Sequence, residues 1–442
     1  LLAGSTQGLY ILKGDELVNT KKYSELKSTD VYKIFGNETI TFFSTFQGLF
    51  TLENGIVNKI YDPNRKEREA YYVHLRDSKD RLWLVGERGT LSIYNDGKIS
   101  SFNAVQGLGE EYYIGVFEDK ENNIWISSST RGLIQVKESI VTTISDKEGL
   151  SEDNILGLLE DSKGRYWVGT RGAGLNMIQN GKISYFKETR DIESSIVQTL
   201  AEDSLGNIWV GHYQKGINKI SSRGKISHYS LGQKFDLNDV HSIYITKKGE
   251  KWVGTYAGLV LFDEYNSDHK IYTKEDGLAG SKIRYITEET DASLWIGTLD
   301  GGISHFKNNQ FKNYSVENGL SSNNVRSIYI DEYDSEIIWV GTENNGLNRI
   351  KNGQITYINV NDGLPDYNIH WISHDNYGWL WMSTNKGVVK IDKEELNAYL
   401  DGQRESFRMQ TFGRKDGMRN PEGNGSFQEA GIRTSEGTFW FA

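Results

Sequence analysis

Side chains that can act as acids, bases or metal ligands are plentiful in this sequence, yet their spacing organises none of the common chemistries. His370 and His374 stand four residues apart in "HWISH". On a strand rising about 3.3 Å per residue they lie roughly 13 Å apart, too far to share one metal ion. Carboxylates such as Glu111, Asp300 and Glu343 show no spacing that argues for a glycosidase pair, which stands about 5 Å apart for retention or roughly 6.5 to 9.5 Å for inversion. EF-hand loops, phosphate-binding glycine loops and nucleophile elbows are absent from the sequence. It has no cysteine, which excludes disulfides and thiolate metal sites. No catalytic residue, metal or cofactor is therefore assigned.

A different chemistry, recognition, is suggested by residues that break an internal repeat. Arg131, Arg171, His212, Tyr213, Lys215, Tyr256, Asp300, Asn344, Tyr367 and His370 fall in the loops on either side of short apolar runs, as do Arg88 and Asp239. Positions that only maintain a repeat should obey its consensus, so departures at one end of it are where a ligand site is expected. His212 is the sharpest departure, because Thr170, Thr255, Thr298, Thr342 and Thr384 hold the same place in other copies. Aromatic rings suit the apolar faces of sugars, and Arg, Asn and Asp suit their hydroxyls. A small-molecule or oligosaccharide ligand is the expectation, although the same residues would also suit a protein surface.

The elements that must position these residues come from the repeat itself. A Trp recurs at 83, 125, 167, 209, 252, 295, 339, 381 and 440, mostly 42 to 44 residues apart, with degenerate copies marked by Leu2 and Phe42. Two residues later the side chain is always tiny, as at Gly169, Gly211, Gly254 and Ser383. A turn of the form DxxGxxW precedes the Trp at Asp161, Asp203 and Asp375, its Asp placed to bond backbone N–H groups ahead of it. Each copy reads as an apolar strand, a tight turn, the Trp strand, a loop and two more strands. Four strands in about 42 residues is the cue for a propeller blade, so the fold class expected is all-β, tandem β-propellers of four-stranded blades. The tiny residue should let neighbouring blades approach near the axis while the Trp fills the wider gap outside. One helix is expected, over 392–402, with Asp392 and Glu395 as a capping box and Gly402 as its stop.

Length and charge add bounds. At 442 residues the chain is long enough for two domains. Its net charge of −10, in mixed sign, offers no footprint for a nucleic acid backbone. The densest run, "NRKERE" at 64–69, reads as a solvated loop. No stretch approaches eighteen apolar residues, so no membrane contact is expected of this segment. Both ends look cut, which suggests a segment of a longer protein.

The stretch "DGLPDYNIHWISHDNYGWLWMSTNKGVVKI" (362–391), with "EGLSEDNI" at 148 and "NGLSSNNV" at 318, resembles the two-component regulator propeller repeat. That resemblance implies the periplasmic sensor region of an inner-membrane receptor, notably a hybrid two-component sensor histidine kinase of Bacteroidetes. It further implies a homodimer, and a small β-sandwich, a transmembrane helix and a cytoplasmic output module after this segment. Such proteins typically carry two seven-bladed rings, whereas eleven marks are present here. Counting back seven from Trp440 gives residues 1–140 as a partial or first propeller and 141–442 as a second, seven-bladed one. The DxxGxxW turn also resembles the Asp-box of sialidases, where it is a fold element. Two other readings stand beside the sensor: a propeller scaffold or adhesion module binding a protein partner, and a carbohydrate-active enzyme.

Overall fold

The computed structural model describes residues 2–442 apart from 20–25, 27–29, 37–39, 46, 62–70, 87–89, 96–97, 103–111, 121, 137–140, 187–191, 193, 267–268 and 426. The charged run at 64–69, Arg88 and Glu111 therefore lie outside the described residues. The chain forms two compact units, Leu1–Glu138 and Ser139–Ala442. The first holds four antiparallel sheets of three, four, four and three strands among the described residues. Their cores centre on Phe43, Leu49 and Trp83.

Among the described residues the second unit holds seven sheets, here lettered A to G, each joined strand to next strand. Their inner strands are Ile155–Glu160, Val197–Glu202, Val240–Ile245, Ile283–Glu288, Val325–Ile330, Trp371–His374 and Gly431–Arg433. Sheets A to F have four strands, and G has two, Gly431–Arg433 and Phe439–Phe441. Sheet G packs on both neighbours in the circle. Trp440 stacks on Tyr166 of sheet A at 4.4 Å between ring centres, and Phe439 stacks on Trp381 of sheet F at 5.0 Å. The circle is thereby closed.

The repeated residues explain why the sheets form and how they pack. Each turn Asp locks its hairpin by accepting from backbone and indole at once. Asp161 accepts from the Lys163 and Arg165 N–H groups (3.0 and 2.9 Å) and from Trp167 Nε1 (2.8 Å). Asp77, Asp119, Asp203, Asp331 and Asp375 hold Trp83, Trp125, Trp209, Trp339 and Trp381 in the same way. Trp295 lacks this partner because the turn before it carries Glu289 and Asp291; instead the His305 ring stacks on it at 4.3 Å.

Each Trp then packs into the next sheet, Trp167 against Val197, Leu200 and Val210 and Trp209 against Val240, Ile243 and Val253. Burying so large a side chain stabilises each interface by about 2–3 kcal/mol. The tiny residue two positions on sits where the next inner strand begins. A Cβ added to Gly169 would lie 2.7 Å from Val197, one on Gly211 2.6 Å from Val240, and one on Gly297 2.7 Å from Val325.

The expected helix is present as α1, Lys393–Leu400, with Asp392 Oδ1 accepting from the Glu395 N–H and Gly402 beyond its end at φ 72°. The second half of the expected capping box does not form, because the Glu395 carboxylate accepts from the Arg408 N–H (2.8 Å) and Nε (3.0 Å).

Candidate functional site

A β-bulge opens the inner strand of every sheet from A to E. Between Ile155 and Gly157, Val197 and Thr199, Val240 and Ser242, Ile283 and Tyr285, and Val325 and Ser327, the inner strand advances two residues while its partner advances one. The extra residue is left out of the ladder and its side chain is re-aimed. These residues are Leu156, Gln198, His241, Arg284 and Arg326. His370 occupies the same place in sheet F, where its N–H and its successor Trp371 both face Ser383. In sheet G the repeat brings Glu429 to this position. The preceding residue is Ile or Val in sheets A to F, whereas the re-aimed side chain changes from Leu to Gln, His and Arg.

Several of them converge on one chain segment. Residues 423–425 and 427–430, between sheets F and G, touch inner strands around the ring and so run across its axis. The Gln428 N–H donates to the His241 carbonyl (3.3 Å), and the Glu429 carbonyl accepts from the Leu158 N–H (3.0 Å). The Gln428 side-chain amide pairs with both backbone groups of Ile286, at 2.9 and 2.8 Å. Arg326 donates to the Gly425 carbonyl (3.1 Å) and pairs with Glu343 (2.8 Å). Gly425 lies against His370, for a Cβ there would come within 2.1 Å of the His370 Cβ and 2.3 Å of its ring.

An aromatic stack stands beside this segment. The His241 ring lies between Tyr256 (4.1 Å) and Phe427 (5.0 Å), and the Arg284 guanidinium lies 5.8 Å from Tyr256 and 5.4 Å from Phe427. A cation over an aromatic face in a partly dry site contributes about 0.5–2 kcal/mol. Burial lowers the pKa of both imidazoles, that of His370 to about 4 against the opposing Asn385 contact, so at neutral pH the charge here rests on the guanidinium groups. Burial raises the Glu429 carboxyl, and burial together with Glu429 raises the Tyr285 phenol that donates to it (3.0 Å).

The candidate residues distribute unevenly over this geometry. Tyr256 and His370 lie in the cluster, and Asp239 faces His241 at 3.2 Å. Asn344 is next to it, its N–H on Asn368 Oδ1 at 3.0 Å beside the Arg326–Glu343 pair. Tyr367 is exposed on the adjoining loop. Asp300 ties its own loop together, pairing with Lys274 at 3.1 Å and accepting from the Lys282 N–H at 3.3 Å. Arg171, Tyr213 and Lys215 are exposed on the loops of sheets A and B, and Arg131 is exposed in the first unit. His212 is fully buried, and burial lowers its pKa to about 4 against Asn218. It fills a gap inside sheet B and faces no solvent.

Sequence reasoning missed His241, Arg284, Arg326, Phe427 and Glu429. For His241, Arg284 and Arg326 the signal was present as the second residue of an apolar run, which changes chemistry from copy to copy. It is hidden by the bulge, because strict alternation counts that residue as a core position. His370 and His374 diverge as their spacing requires: His370 bonds Asn385 at 2.6 Å, whereas His374 meets Tyr329 at 2.5 Å at the far end of the strand.

Comparison with known proteins places this geometry. Residues 149–172 and 363–386 match the family model described as "Two component regulator propeller". Each match runs from the glycine before an inner strand to the loop after the Trp strand. No curated protein sequence matches the chain. Among solved structures, the chain resembles the extracellular domain assigned to a hybrid two component system, BT3049, of B. thetaiotaomicron. That likeness has a TM-score of 0.79 at 22% identity, over 100% of this chain and 58% of that one. It resembles the corresponding domain of BT4673 from the same organism with TM-score 0.52 and 16% identity, over 93% of this chain and 58% of that one. A streptogramin B lyase aligns with TM-score 0.52 and 18% identity, over 66% of this chain and 92% of its own. At these identities the structures establish the fold, a β-propeller, and the chain spans little more than half the length of the first two. The repeat that this family model describes is thus matched in two separate copies, one in sheet A and one in sheet F.

Proposed function

We propose that this chain is the ligand-sensing part of an extracytoplasmic receptor of a two-component system, and that the ring of its second unit recognises a glycan fragment at the axial mouth. The observation that carries the reading is the repeated bulge. It re-aims Gln198, His241, Arg284 and Arg326, which vary in chemistry, while the residue before each stays Val or Ile. Tyr256 and His241 supply flat faces for a sugar ring, and Arg284 and Arg326 supply planar donors for its oxygens. The likeness to extracellular domains of two component systems supports the outside address. Among the described residues no helix is long and apolar enough to cross a membrane.

In this reading residues 1–140 contribute to a first propeller and 141–442 form the second. Binding is relayed by a homodimeric receptor to a cytoplasmic kinase or other output module. Ligand binding does so by favouring one of two receptor arrangements. Calorimetric titration against a panel of oligosaccharides tests the site. Saturable heat from one glycan is expected, without product, and Arg284→Ala or Tyr256→Ala should weaken it by about tenfold or more. Silence across the panel from folded protein overturns the glycan reading, and turnover of a glycan overturns the sensor in favour of an enzyme.

A further inference from the structure

The axial mouth is occupied by the protein's own chain, and the way it is held bears on how any ligand enters. In residues 423–425 and 427–430 the apolar contribution is confined to Phe427, against His241 and Arg284, and the buried Ala430. Hydrogen bonds hold them to the inner edges of sheets A, C, D and E, through Leu158, His241, Ile286 and Arg326, and their two ends to sheets F and G, through Thr384 and Ala442. On their other side these inner strands pair with their own second strands. The fit also leaves polar atoms of the mouth buried without a hydrogen bond, namely His370 Nδ1, which Gly425 covers, and Arg326 Nε. Each such atom carries a penalty that a better-matched occupant would relieve. Phe427 meanwhile lies where the His241 and Arg284 faces are offered.

We propose that residues 423–425 and 427–430 act as an internal plug, which leaves the mouth as a unit while the ring stays folded and must do so before a ligand reaches His241, Arg284, Arg326 and His370. The inference rests on the axial mouth being the ligand site. It has a mechanical consequence, because the plug runs directly into Gly431–Arg433, the inner strand of the sheet that closes the circle. Entry of a ligand would thus act on the closing sheet.

Gly425 supplies the test. A Cβ there meets the His370 Cβ at 2.1 Å and its Cγ at 2.3 Å, so Gly425→Ala should push the plug out, and adding His370→Gly, which removes both atoms, should make room for it again. The readout is amide exchange at Ile286 and Leu158, whose N–H groups are held by Gln428 Oε1 and the Glu429 carbonyl. Gly425→Ala is expected to speed both by about tenfold or more while Val168 and Ile296, in the second strands of A and D, stay protected. The double variant should restore the slow rates. If exchange rises equally at all four residues, or does not change, the segment is a fixed part of the fold and the plug is overturned.

Titration of the same variants then tests the gate. The glycan that binds wild-type protein should bind Gly425→Ala about tenfold tighter, since a competent mouth is more populated. Equal affinity overturns the gate. If no glycan binds either protein, the exchange result alone decides the plug, and only the glycan reading falls.

Discussion

Asp161 receives two backbone N–H groups, the Arg165 side chain at 2.6 Å and the Trp167 indole at 2.8 Å on a single carboxylate. The turn, the strand after it and the interface beyond therefore depend on one side chain. Asp161→Ala leaves the indole and two turn amides without their acceptor, and should lower stability by about 1–3 kcal/mol, read as the denaturant midpoint of the second unit. Asp161→Asn, which keeps one acceptor oxygen, should cost less.

The same carboxylates set the acid limit. Burial alone would raise Asp77, Asp161 and Asp203, but the indole, backbone and neighbouring side-chain hydrogen bonds outweigh it and hold all three below the ordinary value. A carboxylate depressed in the folded state adds stability that is complete above its unfolded pKa of about 3.9 and is lost as pH falls through the lower folded value. Thermal midpoints should accordingly fall steeply below about pH 4, and Asp161→Asn should flatten part of that fall. An unchanged acid limb in Asp161→Asn would show that the lock does not set it. The turn role of this Asp was legible from DxxGxxW, but its bond to the Trp six residues on was not, since spacing along a hairpin says nothing of which way an indole edge points.

Between elements the recurrent contact is a clasp from turn to next sheet. Ser162 donates by N–H and hydroxyl to Glu202, both at 2.7 Å, and Ser78 does the same to Glu118 in the first unit. Ser435 gives an identical pair of bonds, both 2.7 Å, to Glu160, so the clasp that joins successive sheets along the chain also closes the circle. Glu202→Ala and Glu160→Ala remove chemically equal bonds, yet they should differ in consequence. Sheet B is tied to A by covalent continuity, whereas the two-stranded sheet G reaches A through side chains and the bonds of Leu158 and Asn424. Glu160→Ala should raise amide exchange over Gly431–Arg433 and Phe439–Phe441 several-fold and leave sheet B alone. Glu202→Ala should raise exchange at the Ser162 turn and nowhere else. The strands and hairpins were legible from the Trp spacing and the tiny residue behind it. The clasp was not, because Ser162 and Glu202 sit on exposed positions where a single sequence gives no reason to pair them.

At the scale of the whole molecule the ring of the second unit and the four sheets of the first have separate cores, centred on residues such as Trp339 in one and Phe43 in the other. Calorimetry should resolve two transitions. Phe43→Ala, which empties a fully buried position, should remove about 3–5 kcal/mol from one of them and so assign it to the first unit. The mouth was only partly legible for the same reason that it is chemically rich. Its side chains stand on bulges, which break the two-residue period that sequence reading depends on, and its plug comes from a stretch with no periodicity at all. A glycan held at that mouth stabilises only the unit that contains it, so at a hundred times its Kd it should add about 2.7 kcal/mol to the second transition, a rise of about 4 °C, and leave the Phe43-sensitive one in place. A shift confined to the first transition would move the ligand site to the first unit and sink the axial mouth. A shift in both would mean that the two units unfold together, and Phe43→Ala, by then moving both as well, would show it independently.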